Sequence, residues 1–226
     1  MDGESIYIPT TLPLFPLPEV VLFPRAVLPL HIFEPRYRDM TADALAGART
    51  IGVALLKHGF EPHYHTRRAP IHTVIGVGQI IASEQLADGN FNILLRGVAR
   101  ARIIEELPQK PYRVARIRPL TCAAGSAAED QARLRADLRQ TVQTEPVGGS
   151  EIQEYWLKLL DTALELGEIT DLIASGLPVD AELRQCLLAE LDATARTTLL
   201  TEQLRTLAAV LRNRRTQSPA AEWKMN

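Results

Sequence analysis

The sequence predicts an α+β fold: a strongly bent antiparallel sheet or partly open barrel of about six strands with one helix, followed by a helical bundle. Three observations predict it. Residues 12–38 hold six prolines in 27 residues, interleaved with short runs of Leu, Val, Ile and Phe. From there to Leu120 the apolar runs stay short and are bounded by turn residues, as strands are. Beyond residue 121 the apolar spacing switches to three and four, the period of an amphipathic helix.

Each element follows in turn. Proline fixes φ and removes a donor, so no long helix passes through residues 12–38. Short strands at Leu12–Phe15 and Val27–Phe33, joined by a wide loop, are what remains. Pro35 suits the first position of a helix, with Tyr37, Met40, Ala44 and Leu45 on one face and Gly47 as a stop. Ile51–Lys57 is apolar nearly throughout and reads as a buried strand. Residues 58–71, rich in His, Pro and Arg, read as an exposed loop. Strands follow at Val74–Glu84, Phe91–Arg96, Val98–Glu105 and Tyr112–Leu120. Asp88-Gly89 marks a hairpin turn, and Gly97 a bulge or sharp bend.

The stretch TCAAGSAAED at residues 121–130 reads as a linker. Leu134, Leu138 and Val142 line a first bundle helix, broken at residues 145–149. Ile152, Trp156, Leu159, Leu160 and Ala163 mark a second, expected to end near Gly167. Ile169, Leu172 and Ile173 mark a third, stopped by Gly176. Asp180 is a good N-cap for a fourth, with Leu183, Leu187 and Leu191. Asp192 or Thr194 caps a fifth, with Leu200, Leu204, Leu207 and Leu211 inward and Arg212, Arg214 and Arg215 favouring its C-terminal end. The organisation expected is a β subdomain over 1–120, a bundle over 121–215 and a flexible tail over 216–226.

The 25 basic and 27 acidic side chains give a net charge of −2, which argues against a general nucleic-acid or membrane-surface coat. The charge is uneven: 14 basic against 11 acidic residues up to 120, then 11 against 16, consistent with two segments of different character. Two cysteines, Cys122 and Cys186, are too few for a disulfide framework and suit reduced thiols in a cytosolic protein. The opening MDGESIYIPT lacks a basic segment followed by an apolar one, as a signal peptide needs. No apolar run approaches ~20 residues, the length of a membrane span. A cytoplasmic location with no membrane partner is expected.

LPLFPLPEVVLFPRAVLPLHIFEPRYRDM, IGVALL, LADGNFNILLRGVARARI and ITDLIASGLPVDAELRQCLLAELDATART, in this order, resemble the N-terminal substrate-recognition domain of Lon proteases. The resemblance spans residues 11–211 and is similar to free-standing bacterial proteins of this domain. One departure is Arg25, where the family usually has Gly after Phe-Pro. The resemblance implies a PUA-like six-stranded pseudobarrel with one helix, followed by the bundle. It also implies a role in contacting unfolded or hydrophobic polypeptide segments for handover, with a Lon-type protease as a further partner. Proteolysis is not implied, because Gly-Lys never occurs and a phosphate-cradling loop needs it, and the Ser-Lys protease segment is absent. The chain is therefore expected to be no enzyme, with no cofactor and no metal.

Each candidate chemistry has a plainer reading beside it. His58, His63, His65 and His72 fall within 15 residues, but the spacing sets no ligand geometry and a polar loop is the simpler account. His31 reads as a packing histidine. Arg100, Arg102, Arg116 and Arg118 form an alternative nucleic-acid face on the strands between 96 and 118. Solvated strand faces explain them more simply, since RNA readers add stacking aromatics. Glu34, Arg36 and Arg38 read as a local ion-pair cluster. Val20, Val21, Leu22 and Phe23 lie in a proline-bounded loop, where core packing is the plainer reading; if exposed, they form an apolar patch suited to polypeptide. The expected site is a groove between sheet and bundle, with an open sheet edge available for strand addition.

Overall fold

The computed structural model describes residues 7–66, 68–108, 110–123, 127–145 and 147–217. The tail expected from 216 onward falls outside them beyond 217. Six strands, β1 (Thr11–Leu17), β2 (Val27–Ile32), β3 (Thr50–Leu55), β4 (Val74–Gln85), β5 (Phe91–Leu107) and β6 (Arg113–Leu120), precede five helices of a bundle. Helix α1 (Pro35–Ala46) lies between β2 and β3, and a 3₁₀ turn at Glu61–His63 sits in the loop after β3. The bundle comprises α2 (Ala128–Thr144), α3 (Ser150–Leu160), α4 (Leu166–Ser175), α5 (Ala181–Ala189) and α6 (Ala193–Gln217).

The sheet order is β2-β5-β4-β3-β1-β6, and β6 pairs again with β5. Five strands thus close into a ring, with β2 an edge strand on the first half of β5. Closure is achieved by β5, whose 17 residues pair β2 and β4 early and β6 late. The sequence suggested two strands here. They are one, because the β4 ladder resumes directly across a bulge at Gly97, with Val77 opposite Ala99 and Gly78 opposite Gly97. A second correction concerns direction: β1 runs parallel to β3, so the sheet is mixed. The intervening β2–α1 segment supplies the crossover that a parallel pair needs.

Two apolar layers hold this half. Leu12 and Leu14 meet Ile75, Val77, Ala101, Ala115 and Ile117 in one cluster. Phe15, Ile51, Val53 and Leu95 meet Tyr37, Met40 and Ala44 of α1 in the other. Every residue of β3 is consequently buried. The hairpin closes at Gly89, whose φ is 82°, with Leu86 N donating to Asn90 O at 2.8 Å.

In the bundle, Asp180 Oδ1 accepts from Leu183 N at 2.7 Å, as its cap position requires. Asp192, not Thr194, caps α6, accepting from Thr194 N and Ala195 N. Helix α3 ends at Leu160 rather than near Gly167, because Thr162 Oγ1 donates to Leu159 O and Arg135 Nε to Leu160 O, taking up its last carbonyls. Gly167 falls in the first turn of α4. Both cysteines are unpaired. Among the described residues, no helix is long and apolar enough to cross a membrane.

Candidate functional site

The loop between β1 and β2 joins the two halves, and glycines explain how. A Cβ on Gly76 would sit 2.0 Å from Leu22 O, and one on Gly97 1.9 Å from Phe23 O. The loop backbone therefore lies directly on β4 and β5, and only glycine admits it there. Arg25 N donates to Gly97 O and Gly97 N to Ala26 O, both at 2.8 Å. Arg25 itself takes φ of 67°, the left-handed geometry that glycine adopts without steric cost.

This placement gives Leu22 and Phe23 the core packing that is the plainer reading of the loop and removes them as polypeptide contacts. Leu22 and Phe23 are buried, Leu22 in the α1-side core and Phe23 among the bundle residues around Trp156, Ile173 and Leu187. Val20 and Val21 stay half-buried and line a cleft of about 540 Å³ between loop and bundle. Its bundle wall is Ile152, Tyr155 and Trp156 of α3 with Leu172 of α4; Val27 and Leu28 of β2 continue its barrel wall. Val27 is 53% exposed, Ile152 37% and Tyr155 51%. Ile152 was expected inward. It faces the cleft instead, while Trp156, one turn on, is buried as the floor.

Charged ties frame the cleft. Arg25 pairs with Glu168 in the first turn of α4, and Arg184 Nη2 of α5 donates to Glu19 O at 2.9 Å. Deeper in the seam lies a different arrangement. Arg100 of β5 makes two bonds to Asp171 of α4, at 2.8 and 2.5 Å, and its Nε donates to Leu188 O at 2.8 Å. Arg196 Nε lies 2.9 Å from the same carboxylate. Gln185 Nε2 adds a buried bond to Val74 O at 2.9 Å. All three ionic side chains are buried, and such charges persist only when paired.

The arginine face is therefore dispersed. Arg100 is a buried crosslink and unavailable to phosphate, a correction to both readings of it. Arg102 is half-buried and stands opposite Arg118 on β6. Arg116 is exposed but pairs with Glu105 at 3.3 Å. The edge strand β2 carries Pro29 at its middle, which removes an N–H and weakens it as a site for strand addition.

The histidine rings do not gather, although His72 through its ring and His58 through its backbone both meet Glu182. His72 Nε2 lies 3.1 Å from Glu182 of α5, His58 N donates to Glu182 Oε1 at 3.2 Å, and His65 packs edge-on against Tyr64. Among the described residues, no three His, Cys, Asp or Glu side chains converge as a metal site would require. His31 is exposed rather than packed, bonded to Asn92 Oδ1 at 2.8 Å. The Glu34 cluster is structural: it pairs with Arg36 at 2.9 Å and accepts from Tyr64 Oη at 2.8 Å. Burial, then that bond, pushes the Tyr64 phenol above its usual range.

A second concavity, of about 580 Å³, opens beside the end of α1. Asp43 at its rim accepts from Tyr112 Oη and from Lys110 Nζ. These bonds, Tyr112 first, hold the Asp43 carboxyl below its usual value. The seam cleft differs in drawing exposed apolar side chains from both halves of the chain.

Sequence reasoning missed Tyr155, Asp171 and Arg196. A lone acid inside the apolar run ITDLIAS was the signal available for Asp171.

Comparison with known proteins adds to this geometry. The profile of the ATP-dependent protease La (LON) substrate-binding domain matches residues 11–206. Lon protease 2 of Bdellovibrio bacteriovorus is 30% identical over 219 residues, covering 96% of this chain and 27% of that protein. Lon protease of Trichlorobacter lovleyi is 31% identical over 202 residues, covering 89% and 24%. The chain thus spans about a quarter of the length of these relatives. The Lon N-terminal domain protein of Xanthomonas campestris superimposes with a TM-score of 0.59 at 25% identity, covering 87% of this chain and 98% of that one. The N-terminal domain of Lon protease from the Mycobacterium avium complex gives 0.66 at 16%, covering 86% and 98%, a likeness of fold.

Proposed function

This chain belongs to the substrate-binding domain family of the ATP-dependent protease La (Lon), and on that premise we propose that it binds exposed apolar segments of unfolded polypeptides in the seam cleft. The observation that carries the reading is the convergence of Val27, Ile152 and Tyr155, each more than a third exposed, on one cleft floored by Trp156. Exposed apolar groups gathered in a concavity mark a recognition surface. Tyr155 is the natural anchor, offering a large apolar ring at low entropic cost and a hydroxyl for the segment's backbone. With Pro29 blunting the edge of β2, side-chain capture in the cleft replaces strand addition as the mode of binding. In this reading the bound segment is handed to a Lon-type protease.

Titration of a fluorescently labelled unfolded polypeptide, followed by anisotropy, tests this. Saturable binding is expected, weakened about 5- to 30-fold by Tyr155→Ser, the range of an interface anchor. Absence of saturation at high micromolar protein, or binding unchanged in Tyr155→Ser and Ile152→Ser, would overturn it.

A further inference from the structure

We propose that the outward face of β2, β5 and β4 is a self-association surface whose partner is a second copy of this chain. The pairing register lays three rows across these strands. Val27, Arg96 and Gln79 form the first; Pro29, Leu94 and Ala82 the second; His31, Asn92 and Glu84 the third. Of these nine residues Gln79 is half-buried and the other eight are exposed. Leu94 is 39% exposed, and Ile81, in the β4 bulge beside it, 43%. Along the strands this face reads basic, apolar, acidic.

That order is self-complementary under one symmetry operation. A two-fold axis lying across the strands over Leu94 turns a second copy face to face with the strand direction reversed. Arg96 of each copy then faces the Glu84 row of the other, and the Leu94 rows meet at the centre. The outer rows lie ~13 Å apart at ~3.3 Å per residue, and adjacent strands are ~4.8 Å apart. Both charges therefore come within side-chain reach across a sheet-packing distance of ~10 Å. An axis running along the strands would instead set Arg96 against Arg96. Among the described residues the bonds to Arg96 and Glu84 are weak, 3.4 Å each, to Gln79 and from Asn92.

Edge-to-edge assembly through β2 is disfavoured, because Pro29 removes a donor from its middle. Face packing is what remains. Three strands give less than a standard interface, so the dimer is expected to have a dissociation constant above ~1 µM.

Sedimentation equilibrium of the full chain, from roughly 5 to 500 µM to bracket a small interface, tests the proposal. A monomer–dimer equilibrium is expected, weakened at least ~10-fold by Leu94→Glu, the loss of a central apolar contact. Arg96→Glu and Glu84→Arg should each weaken it, and the double reversal should restore it, because complementarity returns. A monomer at every concentration, an equilibrium indifferent to Leu94→Glu, or a double variant no stronger than the singles would overturn it. Leu94 lies outside the seam cleft, so polypeptide binding by Leu94→Glu separates this inference from the function proposed above.

Discussion

Glu168 and Asp171 stand three residues apart on α4, and each meets an arginine from the barrel half. Asp171 is 4% exposed and held by the equally buried Arg100 and Arg196. Glu168 is about a third exposed, and its partner Arg25 about half. One helical turn thus separates a dry ion network from a wet ion pair. The dry end binds the two halves together, because charges removed from water cannot be left unpaired. At the wet end the same halves part enough to leave apolar side chains facing solvent, and there the cleft opens.

The sharpest way to break this comparison is Asp171→Ala. It leaves two buried guanidinium groups without their carboxylate, and a loss of about 3–5 kcal/mol is expected in urea unfolding. A loss below about 1 kcal/mol, the usual worth of an exposed pair, would place both ends of the seam in one class. Next in size is Gly97→Ala. Its Cβ would meet Phe23 O at 1.9 Å, and forcing the loop off the sheet should cost about 1–3 kcal/mol. Because Val20 and Val21 ride on that loop, polypeptide affinity should fall with stability.

The wet end gives smaller effects. Arg25→Gly removes an exposed pair worth about 0–1 kcal/mol but releases left-handed strain of about 1–3 kcal/mol. A net gain of about 1 kcal/mol in thermal unfolding is expected from these opposed effects. Glu168→Gln keeps a polar group at the third position of α4 and removes only the charge. Its effect should stay below about 1 kcal/mol and shrink further in added salt.

The readable and unreadable parts of the sequence divide by range. Local chemistry announced the Asp88-Gly89 hairpin, the Asp180 cap and the start of α1 at Pro35, since each depends on residues within one turn. Long-range pairings were not announced. The parallel partnership of β1 with β3 depends on a crossover through α1. The burial of Arg100 depends on Asp171, 71 residues away. In sequence Phe23 is compatible with a surface position as well as with the core, because nothing local shows that its backbone rests on Gly97. Even so, the glycines in VIGVGQI and LLRGVAR signal that another chain segment comes close. Of the cleft, Val20 and Val21 were legible as a proline-bounded apolar loop. Tyr155 was not, because its side chain departs from the inward stripe set by Trp156, Leu159 and Leu160.

The most direct test of the cleft's role is amide hydrogen exchange with and without a saturating unfolded polypeptide. The account predicts new protection over residues 19–28 and 152–156, with the amides around Asp171 already protected and unchanged. Protection confined to the β5–β6 strands between Arg102 and Arg118, or none near Tyr155, would contradict it.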